Sequence, residues 1–252
     1  MRIRVANDDG IQSPGLEHLV RMAATLGEVW VVAPASQCSA MSQRISVFGS
    51  LELREVQDYP VPEVHAWTVN GSPADCVKVG LACVLPQKPD LVFSGINQGY
   101  NVGTDILYSG TIGVTMEALA NGIPAIAFSA ENTEDLRVAD AWMLPILRKL
   151  RDRPIAPYEV WNINFPSCEP EELRGVLYER FPSAKQFYHN RYTPEALPDG
   201  GTRLRLWSDR CTAAEPGSDM QAVFDRYISV GKVSCALLKQ NHTAAAQSGG
   251  NR

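Results

Sequence analysis

Short runs of continuously apolar residues alternate with segments of helical periodicity through the first two thirds of the chain. The run VWVVA at 29–33 has no polar residue, which is typical of a strand that a parallel sheet buries on both faces. Ahead of it, after Pro14, apolar residues recur at the three- and four-residue spacing of an amphipathic helix. The same two signals return later, with strands predicted at 91–93, 125–128 and 160–163 and helices at 73–85, 111–121 and 139–150. This alternation predicts βαβ units, and therefore an α/β fold with a mostly parallel sheet and right-handed crossovers.

The alternation stops near Pro166, and the chain beyond it consists of short extended pieces separated by loops rich in proline and glycine. We therefore predict an α/β core over 1–166 and a C-terminal extended arm over 167–239 that packs on the core. The small polar residues of 240–252 predict a disordered tail.

Composition narrows the class of protein. The net charge of −5 and the lack of a basic block argue against a polymeric nucleic acid as partner. No apolar run approaches the roughly 18 residues of a membrane span, and the first residues lack the apolar core of a signal peptide. The six cysteines form no C-x-x-C pair, which favours reduced thiols. These features predict a cytoplasmic protein with no membrane contact.

Two adjacent carboxylates follow the first predicted strand, in the turn Asn7-Asp8-Asp9-Gly10. The carboxyl ends of strands in an open α/β sheet form the crevice where ligands bind. Adjacent carboxylates repel each other unless a cation or protons intervene, so Asp8 and Asp9 predict a metal site. The alternative is an ordinary acidic turn with solvated side chains.

Two further loops are predicted to reach the same edge of the sheet. The loop after the second strand offers the hydroxyl of Ser39, and the loop after strand 91–93 offers the amide of Asn97. Carboxylate, amide and hydroxyl oxygens suit hard cations, so Asp8, Asp9, Ser39 and Asn97 predict one site for Mg²⁺ or Mn²⁺.

The tripeptide Ser109-Gly110-Thr111 opens a predicted helix. Free backbone N–H groups and the helix dipole favour an anion there, and Gly110 would allow a phosphate to approach the backbone. Taken alone, such a tripeptide is more commonly a plain Ser/Thr N-cap. A metal site and an anion site in one crevice predict phosphoryl chemistry, in which a metal-activated water attacks phosphorus. There is no G-x-G-x-x-G after the first strand and no phosphate-binding G-x-x-x-x-G-K-[ST] loop.

Six short motifs occur in a characteristic order: NDDG at 7–10, AP at 33–34 with Gln37 and Ser39, NGSPADCV at 70–77, SGINQGYN at 94–101, YSGTIG at 108–113 and NINFP at 162–166. In these motifs the chain resembles the SurE family, the stationary-phase survival protein E group of metal-dependent 5′(3′)-nucleotidases. The resemblance covers about residues 1–166.

The resemblance implies a Rossmann-like three-layer core and an arm exchanged between subunits, giving a homodimer or homotetramer. It implies hydrolysis of nucleoside monophosphates and, in some members, of short polyphosphate. It assigns one divalent cation per subunit to Asp8, Asp9, Ser39 and Asn97, with Asp8 and Asp9 catalytic. Phosphate contacts fall on Ser109, Gly110 and Thr111, with Asn101 nearby.

The arm departs from the family's pattern. Arg226 precedes Tyr227, Val230-Gly231-Lys232 replaces the usual Thr-Pro step, and Ala40 stands where glycine is frequent. These changes leave subunit exchange and substrate preference open. Two other functions also stay open: a non-catalytic nucleotide sensor, and a metal-dependent nucleotidyl- or glycosyltransferase whose second pocket the arm would form.

Overall fold

The structure, a computed structural model, describes residues 1–240 and contains a nine-stranded sheet, a separate two-stranded hairpin and α-helices on both faces of the large sheet. The strands are β1 (Arg2–Ala6), β2 (Glu28–Pro34), β3 (Leu53–Glu55), β4 (His65–Val69), β5 (Leu91–Gln98), β6 (Ala125–Ala130), β7 (Glu159–Phe165), β8 (Gly175–Arg180), β9 (Tyr188–Ala196), β10 (Thr202–Arg210) and β11 (Tyr227–Ser234). The helices are α1 (Pro14–Ala24), α2 (Pro73–Val79), α3 (Gly110–Ala120), α4 (Arg137–Arg151) and α5 (Asp219–Phe224), with a π-helical turn at Gly80–Val84 and 3₁₀ turns at Gly103–Leu107 and Pro170–Glu172.

The strands of the large sheet lie in the order β3-β4-β2-β1-β5-β6-β7-β11-β8. Neighbouring strands are parallel except for β3 with β4 and β7 with β11. The predicted mostly parallel sheet is thus confirmed. The chain leaves β1 toward β2 on one side, and proceeds from β5 to β6 on the other. The carboxyl ends of β1 and β5 therefore flank the switch point at which such sheets form a ligand crevice.

Helices cover both faces of this sheet. Leu19 of α1 and Met143 of α4 belong to one buried cluster, whereas Val77 of α2 and Val114 of α3 belong to another. This arrangement confirms the three-layer α/β fold. No helix of the part that the structure describes is long and apolar enough to cross a bilayer.

Strand β5 is longer than its sequence suggests. The sequence predicts a loop from Ile96, but the strand continues to Gln98, and its pairing with β6 shifts register between Ser94 and Asn97. The irregular pairing accommodates Gly95, which has a φ of +126°. Asn97 therefore lies on a paired strand rather than on a free loop.

The C-terminal segment over 167–239 contributes strands to both sheets. Strand β11 joins β7 to β8 in the large sheet, and β9 pairs with β10 as a separate antiparallel hairpin. The proposed division into a core over 1–166 and an arm over 167–239 stays a prediction. The predicted disordered tail over 240–252 lies outside the described residues apart from Gln240.

Arg4 is a buried cation in the middle of β1. Its side chain has no exposed surface, and its only hydrogen bond from the guanidinium goes to the carbonyl of Val32, at 3.3 Å. Its Nε and Nη1 find no partner among the described residues. Burial lowers the pKa of Arg4 to about 10, which shows that the charged form is disfavoured at this position.

We expect Arg4→Met to leave the free energy of unfolding unchanged or to raise it by about 1–3 kcal/mol, because it removes an incompletely compensated buried charge. Urea unfolding measures this change. The control is Arg54→Met on β3, where the side chain is 74% exposed and the effect should be near zero. A clear loss of stability in Arg4→Met alone would contradict this account.

Candidate active site at the carboxyl ends of β1 and β5

The turn after β1 is fixed by the side chain of Asn7. Its Nδ2 donates to the carbonyl of Gly10 at 2.9 Å and to Oγ of Ser13 at 2.8 Å, and its Oδ1 accepts from the N–H of Gly10 at 3.2 Å. Gly10 has a φ of +95°, which a residue with a Cβ rarely adopts. Asn7 and Gly10 thus hold Asp8 and Asp9 in one conformation at the end of the strand.

Asp8 is buried, with 3% of its surface exposed, so it is not the solvated turn residue of the alternative interpretation. Its Oδ1 accepts from the hydroxyl of Thr111 at 2.5 Å, and the backbone N–H of Thr111 also bonds to this carboxyl. Burial nevertheless raises the pKa of Asp8 to about 6, with the neighbouring Asp9 adding to the rise. A nearby cation would favour the ionised form.

Asp9 faces the end of β5. Its Oδ2 accepts from the backbone N–H of Gln98 at 3.0 Å, and the side chain of Gln37 is a second hydrogen-bond partner. Burial raises the pKa of Asp9, while these two hydrogen bonds act in the opposite direction. The Asp9–Gln98 bond ties the first turn to the strand that carries Asn97.

The other two predicted ligands lie in the same crevice. The N–H of Cys38 donates to the carbonyl of Asp8 at 2.7 Å, which brings the following residue, Ser39, beside the acidic turn. Nδ2 of Asn97 donates to the carbonyl of Gly99 at 2.8 Å, so the amide nitrogen is engaged and Oδ1 is the atom left for a cation. Asp8, Ser39 and Asn97 all line a crevice of about 550 Å³.

The amino end of α3 abuts Asp8, and its residues are engaged differently from the sequence prediction. Ser109 is the N-cap, because its Oγ accepts from the N–H of Ile112 at 3.1 Å. A Cβ on Gly110 would lie 2.7 Å from Cβ of Asp8 and 2.8 Å from its Oδ2. Gly110 is therefore needed for the approach of the helix to Asp8. Its predicted role toward phosphate stays a prediction.

Asn101 lines the crevice and is anchored by three polar side chains. Its Nδ2 donates to Oγ of Ser129 at 2.8 Å, and its backbone N–H donates to Oδ1 of Asn164 at 2.9 Å. Its carbonyl accepts from the side-chain amides of Asn162 and Asn164. Sequence reasoning used these asparagines only as a family motif and missed their positioning role.

Sequence reasoning also missed one wall of the crevice, which β9 supplies through Tyr188, Asn190 and Tyr192. Oδ2 of Asp105 accepts from the backbone N–H groups of Phe187 and Tyr188, at 2.9 and 2.8 Å. This bond pair fixes the start of the hairpin against the 3₁₀ turn that follows β5. In the sequence, Asp105 is a single aspartate in a predicted loop, and nothing near it indicates that its partners lie more than 80 residues away.

The donor set fits a hard divalent cation. Within residues 1–240, no group of three or more His, Cys, Asp or Glu side chains is placed to hold a metal ion. The candidate set instead combines the carboxylates of Asp8 and Asp9 with neutral oxygens from Ser39 and Asn97. Oxygen donors of this kind suit Mg²⁺ and Mn²⁺ better than soft cations.

Fold and site together define an α/β protein with an acidic, oxygen-lined crevice at the switch point of its sheet. The family model described as Survival protein SurE matches residues 3–187. The chain belongs to the SurE family.

Individual relatives agree with this membership. The chain is 39% identical over 205 residues to 5′-nucleotidase SurE of Thermosynechococcus vestitus, which covers 80% of this chain and 77% of the relative. It is 38% identical over 240 residues to 5′-nucleotidase SurE 1 of Thermus thermophilus, covering 94% and 93% of the two chains. The crystal structure of Sure protein from Aquifex aeolicus superposes with a TM-score of 0.78 at 33% identity, over 93% of each chain.

We expect Gly110→Ala to lower the free energy of unfolding by about 1–3 kcal/mol, because the added methyl group would clash with the side chain of Asp8. Helix propensity alone predicts a gain of about 1 kcal/mol. Urea unfolding without metal separates the two effects. In an Asp8→Gly background the same substitution should cost less, since the atoms that it strikes are gone. A stability gain in the otherwise unchanged protein would refute the close contact.

We expect Mn²⁺ affinity to fall by about tenfold for each pH unit below about 6, because the proton on Asp8 then competes with the cation. The raised pKa of Asp8 gives the sign: protonation of the folded protein begins at a higher pH than for an ordinary aspartate. Calorimetric titration on both sides of this pH measures the trend. Asp58→Asn, at an exposed position, should follow the unchanged protein. A flat profile across this range would contradict the assignment of Asp8.

Proposed function

We propose that this protein is a metal-dependent 5′-nucleotidase that hydrolyses nucleoside monophosphates to a nucleoside and phosphate. The observation that carries the proposal is the crevice in which the carboxylate of Asp8 meets the amino end of α3, while the neighbouring Asp9 is held at the end of β5. The relatives from Thermosynechococcus vestitus and Thermus thermophilus are named 5′-nucleotidases, which supports hydrolysis over the sensor and the transferase. Activity on short polyphosphate and on 3′-monophosphates belongs to the same proposal.

One divalent cation per subunit, Mg²⁺ or Mn²⁺, would be held by Asp8, Asp9, Ser39 and Asn97. When bound, such a cation supplies Lewis-acid polarisation of a phosphate oxygen and lowers the pKa of a coordinated water. The chain orients the ligands before the cation arrives: Thr111 holds the carboxyl of Asp8, and the N–H of Gln98 holds Asp9.

The phosphate would lie between the acidic turn and the amino end of α3. Ser109 lines the crevice, and its Oγ accepts from Ile112, so the hydroxyl hydrogen remains to donate to a phosphate oxygen. We assign further phosphate contacts to Gly110 and Asn101, whereas Thr111, the third predicted contact, donates to Asp8 and would act on the phosphate through that carboxyl. Donors fixed in advance stabilise the developing charge without reorganisation.

The leaving ribose oxygen must receive a proton, and two groups are candidates for its donor: Asp9 and a water bound to the cation. Burial raises the pKa of Asp9 in the metal-free chain, whereas a coordinated cation would favour its ionised form, so Asp9 can donate this proton only when it is not a ligand of the cation. A raised pKa brings a carboxyl nearer to the range in which it can act as a general acid.

The tyrosines of the crevice support a nucleoside as the leaving group. Tyr188 and Tyr192 of β9 and Tyr108 before α3 line the space beyond the acidic turn. Aromatic faces stack on any base, with about 1–3 kcal/mol for each stacked base. The volume of about 550 Å³ falls within the range of small-molecule sites.

We further propose self-association through the C-terminal segment as a homodimer or homotetramer, and a cytoplasmic location. The hairpin β9–β10 carries exposed apolar side chains, among them Leu204, Leu206 and Trp207, each with more than half of its surface in solvent. Exposed apolar groups on one element are typical of an interaction surface.

Phosphate release from AMP and GMP, each with Mn²⁺, with Mg²⁺ and with EDTA, tests the function. We expect metal-dependent release that EDTA abolishes and that Asp8→Asn lowers by about a hundredfold or more. The melting temperature of Asp8→Asn should stay equal or rise, because the amide oxygen can still accept from Thr111 while the buried charge is removed.

Asp58→Asn, an exposed carboxylate, is the matched control and should retain full turnover. Release that persists in EDTA would overturn the metal-dependent mechanism. Nucleotide binding without turnover under every condition would favour the sensor. Consumption of a sugar nucleotide only in the presence of an acceptor would favour the transferase.

A further inference from the structure

A second cavity, of about 510 Å³, lies at the opposite end of the sheet from the acidic crevice. Leu91, the first residue of β5, lines it, whereas Asn97 near the other end of β5 lines the crevice. Its walls come from the amino ends of β5, β6 and β7 and from the second half of α4. The side chains there are mostly apolar, including Phe93, Ile126, Leu144, Leu147 and Trp161.

Pro145 stands in the part of α4 that lies beside the cavity. It stands inside the helix, has no N–H to donate to the carbonyl of Ala141, and its ring disfavours a straight continuation. The helical residues from Leu144 onward that line the cavity flank or follow this point. Water is a poor occupant of a cavity with apolar walls, because a buried water needs two to four polar partners.

The rim of this cavity is cationic. Arg148, Arg151 and Arg153 belong to its lining, and none of the described lining residues is acidic, although the chain as a whole carries a net charge of −5. Basic residues at the end of a helix complement the helix dipole. The helix dipole alone therefore accounts for the charge of these arginines but not for the apolar cavity next to them.

Two of the three guanidinium groups are available to a ligand. Arg148 makes no ion pair with a described residue. Arg151 meets Asp152 at 3.5 Å with side chains 80% and 77% exposed, an arrangement that contributes little energy. Arg153 is committed to Glu179, at 2.8 Å. A carboxylate could therefore pair with Arg148 and Arg151 without displacing a strong partner.

We propose that this cavity binds a free fatty acid, with its aliphatic chain against Leu144, Leu147 and Trp161 and its carboxylate at Arg148 and Arg151. An open apolar cavity whose lining includes three arginines and no acidic residue matches a ligand that is apolar along its length and anionic at one end, although Asp152 and Glu179 outside the lining pair with two of these arginines. The site is separate from the acidic crevice and does not rest on the proposed nucleotidase activity.

Calorimetric titration of the full chain with octanoate, decanoate and dodecanoate, each below its micellar concentration, tests the proposal. Each added pair of buried methylenes should tighten binding by about tenfold. The fluorescence of Trp161 should change on binding and should be lost as a signal in Trp161→Phe. Dodecyltrimethylammonium, with the same chain and the opposite charge, should bind at least about tenfold more weakly than dodecanoate.

The double variant Arg148→Gln, Arg151→Gln should weaken dodecanoate binding by about tenfold or more. Both side chains are exposed, so folding should be unaffected, and thermal melting verifies this. Arg54→Gln, an exposed arginine on β3, is the matched control and should bind as the unchanged protein does. Leu147→Trp, which fills the cavity, should abolish binding, and the arginine variant decides the matter if this one does not fold.

Three outcomes would overturn the proposal. The first is no binding of any chain length. The second is equal binding of dodecanoate and the alkylammonium, or no effect of the arginine variant, which would show adsorption to apolar surface only. The third is that the unchanged protein binds no fatty acid and that the arginine variant no longer forms oligomers. This result would show that a second copy of the chain covers this face.

Discussion

The contact between Asp8 and the amino end of α3 is the interaction on which the rest of the site depends. Thr111 gives two hydrogen bonds to this carboxyl, and Gly110 lets the helix come close enough to give them. The sheet places Asp8 at the end of β1, and the helix dipole directs its positive end toward the same group. The cost is a buried acid with a raised pKa. A bound cation would favour the ionised form of Asp8 and would so offset the cost of burying this carboxyl.

The sequence predicts the framework of this arrangement but not its inner supports. The apolar run at 29–33 and the helical spacing after Pro14 are local patterns, and they correctly predict β2 and α1. The sequence predicts a loop at Asn97, because glycine and asparagine are typical of turns. The structure shows a strand there, since pairing with β6 across an irregular register overrides local preference.

The parts that the sequence did not predict are set by contacts between distant segments. Asp105 accepts from the backbone of Phe187 and Tyr188, and backbone donors leave no trace in the identity of the residues that carry them. The wall formed by β9 could therefore not be read from composition or spacing. Gly110 shows the same limit. The sequence predicts that its small size admits a phosphate, and this stays a prediction, but the sequence does not show that a Cβ at this position would also collide with Asp8.

The bonds that assemble the acidic turn join residues far apart in the chain. Asp9 and Gln98 are separated by 89 positions, and Asp8 and Thr111 by 103. No fragment shorter than this can form the site, so an unfolded or half-folded chain has no means to hold a cation there. A ligand that binds only the native state stabilises it by mass action, by about 2.7 kcal/mol at a concentration a hundredfold above its dissociation constant. The free cation level would then govern how long the protein survives proteolysis as well as how fast it turns over.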